Sequence, residues 1–272
     1  MEGVGVLSTV NEYTIKVRGD QQFRWFIENT KSVVKDSTVF IHILDVGLDT
    51  IPESIFDINI SGVLTFENCA FSCIPAAIGR MYKLRELHLI NCNNIATIDS
   101  SLSENSNIRN ISIQRCNKLN FDNWRNVKGK MFSITNIHFD ECDSITDIPF
   151  VVKKTPSPRC KRSSLYIRSC KSLESISGGL CGFAYITLIS CPNLRVLHSN
   201  LCDNSILRHL HIENCDGIVC LPDKKDKLIP ESMEHVYVKN NANLKSIDCI
   251  SGCIHNTSEF YVFDNPVLAL IL

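Results

Sequence analysis

The sequence predicts an α/β fold: a parallel sheet of short strands, one from each copy of an internal repeat, with turns and short helical pieces returning the chain behind it. Three observations predict it. The 272 residues are 44% hydrophobic and 21% charged, the balance of a globular chain. One apolar template recurs along most of the length at steps of 21–28 residues. Within each copy, pairs such as Leu87 and Leu89 or Ile111 and Ile113 alternate with polar residues, the two-residue period of a strand buried on one face.

The template reads L-x-x-L-x-L-x-x-C/N, with an apolar residue two or three places later and another three beyond. Residues 84–98 read LRELHLINCNNIATI and residues 108–119 read IRNISIQRCNKL. ITNIHFDECDSITDIP follows from Ile134, SLYIRSCKSLESI from Ser164 and FAYITLISCPNLRVL from Phe183. LRHLHIENCDGIVCLP starts at Leu207, MEHVYVKNNANLKSI at Met233 and FYVFDNPVLALI at Phe260. Two looser copies come earlier, IHILDVGLDTIP from Ile41 and LTFENCAFSCIP from Leu64. The second template position therefore falls at Ile41, Leu64, Leu87, Ile111, Ile137, Leu165, Ile186, Leu210, Val236 and Phe260. The steps between them are 23, 23, 24, 26, 28, 21, 24, 26 and 24 residues. No single strand of this length buries its apolar face alone, so successive copies must stack.

These residues resemble the leucine-rich repeat superfamily over roughly residues 39–272. The cysteine-bearing flavour of the copies is similar to the repeats of plant-type intracellular immune receptors. The segments Ile51-Pro52-Glu53-Ser54-Ile55 and Ile74-Pro75-Ala76-Ala77-Ile78 resemble the L-P-x-x-I turn of other intracellular members. The copy at Cys142-Asp143-Ser144-Ile145-Thr146-Asp147 is similar to those of F-box ubiquitin-ligase receptors. The resemblance implies a solenoid of about ten repeats with a concave parallel sheet, and a role in recognition. It does not carry over the immune receptors' nucleotide switch, because no G-x-x-x-x-G-K-S/T loop occurs.

Taken in order, residues 1–38 are expected to form an amino-terminal cap. Tyr13, Ile15 and Val17 alternate as a strand, and Phe23, Phe26, Ile27, Val33 and Val34 mark an amphipathic helix. Residues 39–272 are expected to form the repeat array, with Ile55, Ile78 and Leu102 anchoring its convex side. Seven copies place a cysteine in the turn after the strand: Cys69, Cys92, Cys116, Cys142, Cys170, Cys191 and Cys215. Asn241 and Asn265 take that place in the last two copies. The turn leaves backbone groups in need of partners, which asparagine supplies well and a compact thiol more weakly. A basic stretch, 153–162, with two prolines and five basic residues, reads as an exposed, solvated insertion, with a proline-directed phosphorylation site at Thr155 or Ser157 and a nuclear signal as the alternatives. The apolar tail from Val267 to Leu272 leaves the last repeat uncapped, an end expected to be buried in a longer chain or an oligomer.

The function classes narrow quickly. A formal charge of -1 argues against a nucleic-acid binder. No window of about 18 uninterrupted apolar residues is present, so no membrane-spanning helix is expected. The start Met1-Glu2-Gly3-Val4 lacks a basic n-region, so the 14 cysteines are expected to be reduced thiols in a cytoplasmic protein. No G-x-S-x-G or H-E-x-x-H occurs, and the reading is of a chain that is not an enzyme and has no cofactor. Cys249, Cys253 and His255 form a C-x3-C-x-H cluster without a second spaced pair, so it reads as packed thiols and no metal site is assigned.

The candidate site is a set of side chains beside the inward strand residues. His42, His88, His138 and His211 share one column with Tyr166, Tyr237 and Tyr261, and His209 and His235 lie in the next. Arg168, Glu213 and Lys239 flank them, with Glu67, Gln114 and Phe263. Aromatic side chains with a polar tip suit a protein partner, and the mixed charge does not suit a polyanion. The expected function is protein binding on the concave face in intracellular recognition or signalling. His138, Tyr166, Arg168, His211 and Glu213 stand at the centre, and neither nucleic acid nor membrane is a partner. The alternatives are a substrate-receptor subunit of a ubiquitin ligase and a pathogen effector built from a bare repeat array.

Overall fold

The computed structural model describes residues 5–9, 12–34, 36, 38–58, 60–124, 134–150, 162–222, 232–251 and 257–268. The chain divides into two compact units, Met1–Ile134 and Thr135–Leu272.

In the first unit, β1 (Gly5–Thr9) runs antiparallel to β2 (Glu12–Arg18). The expected strand around Ile15 is thus the second arm of a hairpin whose first arm the sequence reading lacked. Gly19, at φ 72°, turns the chain from β2 into α1 (Gly19–Val33). Phe23 and Phe26 lie on one face of α1 and are buried, with the Phe23 ring 5.6 Å from that of Phe71. The helix start is tied down by the amide of Gly47, which donates to Asp20 Oδ1 at 2.6 Å. Four repeat strands follow: β3 (Thr38–Leu44), β4 (Val63–Glu67), β5 (Glu86–Ile90) and β6 (Asn110–Gln114). They pair in chain order and in parallel, starting from β2.

The second unit repeats the scheme with β7 (Asn136–Asp140), β8 (Ser164–Arg168), β9 (Tyr185–Ile189), β10 (His209–Glu213), β11 (His235–Lys239) and β12 (Glu259–Phe263). These too are parallel and in chain order. The alternation predicted from the sequence is the alternation observed. Pairs such as Leu87 and Leu89, Phe139 and Ile137, or Leu210 and Ile212 are buried, while the residues between them face outward. Behind the first unit's sheet, 3-10 turns at Glu53–Asp57, Ala76–Arg80 and Ser100–Glu104 sink Ile55, Ile78 and Leu102 into the core, as expected.

One backbone device recurs after every repeat strand. Asp45, Asn68, Asn91, Arg115, Glu141, Ser169, Ser190, Asn214, Asn240 and Asp264 all adopt a left-handed conformation, φ 52–56°. Their spacing reproduces the steps read from the sequence. Asparagine and aspartate tolerate this region best, and they fill six of these positions. In the first unit their side chains run on from copy to copy: Asn68 Nδ2 donates to Asp45 Oδ1 at 3.0 Å and Asn91 Nδ2 to Asn68 Oδ1 at 3.0 Å.

The left-handed turn swings the next residue inward, which is where the seven cysteines stand. Each is buried, and each thiol donates to the carbonyl two residues back, for example Cys92 to Ile90 and Cys142 to Asp140, both at 3.4 Å. At Cys69, Cys170 and Cys215 the adjacent thiol of a neighbouring copy, together with burial, pushes the pKa up, so these groups stay protonated.

Stacking also dictates glycine where two turns touch. A Cβ on Gly178 would stand 2.0 Å from the Phe150 carbonyl oxygen. Gly178→Ala is therefore expected to destabilise the second unit by about 3 kcal/mol, the upper end for overpacking. A drop in the urea midpoint of the purified variant checks this, and an unchanged midpoint would contradict the close approach.

Candidate functional site

The ladder register of β7–β12 sorts the outward residues of the second unit into three columns. The middle column holds His138, Tyr166, Thr187, His211, Tyr237 and Tyr261. The column at the strand entry holds Asn136, Ser164, Tyr185, His209, His235 and Glu259. The exit column holds Asp140, Arg168, Ile189, Glu213, Lys239 and Phe263.

Strand spacing of about 4.8 Å puts consecutive rings of a column in contact. His138 meets Tyr166 edge-on with centroids 4.8 Å apart, and His211 meets Tyr237 at 4.5 Å. Tyr237 also packs edge-on against Phe263 at 5.6 Å and lies 6.4 Å from Tyr261. At the entry column, Tyr185, His209 and His235 form a stack with centroid spacings of 4.4 and 4.3 Å. Tyr261 and Phe263, on the last described strand, are 52% and 39% exposed.

Charge on this face is mixed and largely paired. Arg168 grips Asp140 with two hydrogen bonds, of 2.8 and 2.6 Å, and the Asp140 side chain is only 12% exposed. That bond and the aspartate's charge hold the guanidinium pKa above its ordinary value. His211 Nε2 lies 3.0 Å from Glu213 Oε2, and Lys239 Nζ sits 5.2 Å above the Phe263 ring. His209 goes the other way: burial first, and then the nearby His235, lower its pKa, with Glu234 opposing. It is therefore a neutral ring at pH 7.

Of the residues singled out from the sequence, His138, Tyr166, Arg168, His209, His211, Glu213, His235, Tyr237, Lys239 and Tyr261 are collected on this one sheet face. His88 belongs to the first unit's face, where its Nε2 lies 3.2 Å from Glu86, and His42 lies 2.8 Å from Glu67. Sequence reasoning missed Tyr185, which occupies the same template position as His209 and His235 and was legible from it. It also missed Asp140, Glu234 and Glu259, which only the pairing brings to the histidines and Arg168. His209, Glu234 and His235 each have a ligand atom within 4.8 Å of those of the other two. Cys249 is half-buried in a single helical turn, Asp248–Ser251. Cys253, His255, residues 153–161 of the basic stretch and residues 269–272 of the tail lie outside the described residues. No helix among those described is long and apolar enough to cross a membrane.

No protein-family profile matches the chain, and no curated protein matches it in sequence. Solved structures do match. The leucine-rich repeat domain of the type III effector XopL is similar at 14% identity and a TM-score of 0.50, over 80% of this chain and 66% of that one. A leucine-rich repeat protein of Leptospira interrogans aligns at 11% identity and a TM-score of 0.46, over 91% of this chain and 70% of its own. An internalin of Listeria monocytogenes aligns at 12% identity and a TM-score of 0.36, over 94% and 82%. The XopL likeness, set beside the repeated strand, left-handed turn and buried cysteine or asparagine, establishes the fold.

Proposed function

We propose that this chain, whose fold is that of the leucine-rich repeat superfamily, is a non-enzymatic interaction module that binds a protein partner on the concave face of its repeat sheet. One observation carries the reading: two groups of imidazole and phenol rings in one column, His138 with Tyr166 and, beyond Thr187, His211 with Tyr237 and Tyr261, set on a hydrogen-bonded sheet. Rings fixed by strand register lose little conformational freedom on binding, and each combines apolar area with a polar tip. The ion pair of Asp140 with Arg168 is already satisfied within the face, which favours a partner that matches shape over one that supplies bulk charge. The face is therefore assigned to protein and not to nucleic acid or membrane.

The reading includes a cytoplasmic location, supported by thiols that bond to backbone carbonyls inside seven of the turns. It also assigns residues 1–38 as the cap of a repeat array over 39–272, in which α1 covers apolar surface around Phe71.

The test is capture from native cell lysate with the tagged chain, alongside a variant in which His138, Tyr166, His211 and Tyr237 are changed to Ala. The expected result is one enriched partner that the variant loses while its circular dichroism and melting temperature stay unchanged. Recovery of ligase subunits would mark the substrate-receptor version of this module, and recovery of a host signalling protein the effector version. The same background from both proteins would overturn the assignment of the face.

A further inference from the structure

We propose that His209, Glu234 and His235 form a binding site for one divalent transition-metal ion, with zinc as the reference ion. The site stands independently of the partner-binding role.

Its geometry is built into the sheet. His209 on β10 and His235 on β11 are register partners, so the backbone ladder fixes the separation of their side chains. The rings lie 4.3 Å apart at 21°, and Tyr185 stacks on the far side of His209 at 4.4 Å, limiting its rotation. Glu234 enters β11 immediately before His235, and the amides of both donate to the Arg208 carbonyl at 2.8 and 2.9 Å. Its carboxylate is divided between two neighbours. Oε1 accepts from Arg208 Nη1 at 2.8 Å, which leaves Oε2 turned toward His209 Nε2 at 3.6 Å.

The ligand atoms of the three residues lie within 4.8 Å of one another. Around a tetrahedral ion with bonds of 2.0–2.1 Å, ligand atoms stand about 3.3 Å apart. Closing onto an ion thus asks each pair to approach by roughly 1.5 Å or less, within reach of side-chain torsions. All three side chains are half-buried.

A further contact points the same way. His235 Nδ1 lies 2.9 Å from Glu259 Oε2, on the next strand. A carboxylate at that distance accepts the Nδ1 proton, which leaves the Nε2 lone pair for a metal and orients the ring. Two imidazoles and one carboxylate suit zinc and its first-row neighbours, whereas calcium and magnesium favour oxygen ligands. Three protein ligands leave a fourth position to water.

The experiment uses the full chain, stripped with a chelator, its accessible thiols first alkylated with iodoacetamide so that cysteine does not compete. Zinc chloride alone is titrated by calorimetry, and cobalt(II) absorption serves as a second readout. One ion per chain is expected, with a cobalt spectrum lacking a thiolate charge-transfer band. H209Q and H235Q should each weaken binding at least about tenfold, and E259Q about tenfold through loss of the supporting carboxylate. H88Q and H211Q should leave it unchanged. Undiminished binding in the H209Q/H235Q double variant, a thiolate band, or no uptake of zinc by the folded protein would overturn the site.

Discussion

Asn241→Ala should cost the second unit about 2–3 kcal/mol, because one side chain there bonds three backbone groups. Asn241 is fully buried. Its Oδ1 accepts the Cys215 amide at 2.9 Å, and its Nδ2 donates to the carbonyls of Lys239 and Ile212 at 2.9 and 3.2 Å. Alanine leaves the Cys215 amide without this acceptor and takes the Nδ2 bond from both carbonyls, of which that of Lys239 still accepts the Asn214 amide at 3.2 Å; a buried group left unmet costs about 1–3 kcal/mol before relaxation. Asn241→Cys is the informative companion. A thiol donates once, to the carbonyl two residues back, as Cys215 does to Glu213 at 3.4 Å, and it offers only a weak acceptor to the amide above. Its loss should fall between wild type and alanine. Urea unfolding followed by circular dichroism gives the order. A loss under about 1 kcal/mol for alanine would mean that water replaces the side chain's bonds.

The same position shows why so much of the fold was legible in the sequence. From β4 to β11 each copy meets one local demand, a left-handed residue followed by a small buried donor, and the demand recurs as each of those strands ends. Asn91-Cys92, Ser190-Cys191 and Asn240-Asn241 are three answers to it. Since stacking turns that demand into a period, the apolar template locates each described repeat strand. The hairpin arm β1 has no place in the period, and nothing in Gly5–Thr9 distinguishes it from a free apolar end. Its antiparallel partner is what makes it a strand.

For the candidate site, legibility followed the same rule. The middle residue of each L-x-L triplet must face outward, so His138, Tyr166, His211 and Tyr237 were placed by alternation alone. Contacts between copies were not, because they depend on register. Glu234 sits 25 residues from His209, and Glu259 sits 24 from His235. No spacing motif joins them. The parallel ladder does, by aligning His209 with His235 and His235 with Glu259. Steps between copies vary from 21 to 28 residues, so a count along the chain does not reveal which side chains end up side by side.

Tyr237→Ala should weaken the captured partner's binding by about 2 kcal/mol or more, roughly thirtyfold, if the ring face is the contact. Tyr237 touches more of the aromatic set than its neighbours do: His211 at 4.5 Å, Phe263 at 5.6 Å and Tyr261 at 6.4 Å. Removing it takes away its own contact area and the wall that holds those three rings in place. Tyr237→Phe keeps the wall and loses only the hydroxyl, so it should cost about 1 kcal/mol, near fivefold. The side chain faces outward, so neither change should alter folding, and a thermal melt verifies that. Ser112→Ala, on the first unit's face and without a ring to lose, should stay within about twofold of wild type. Titration of each variant with the purified partner decides the matter. If Tyr237→Ala binds as tightly as wild type, the rings pack only against one another, and the partner must be sought on another surface of the repeats.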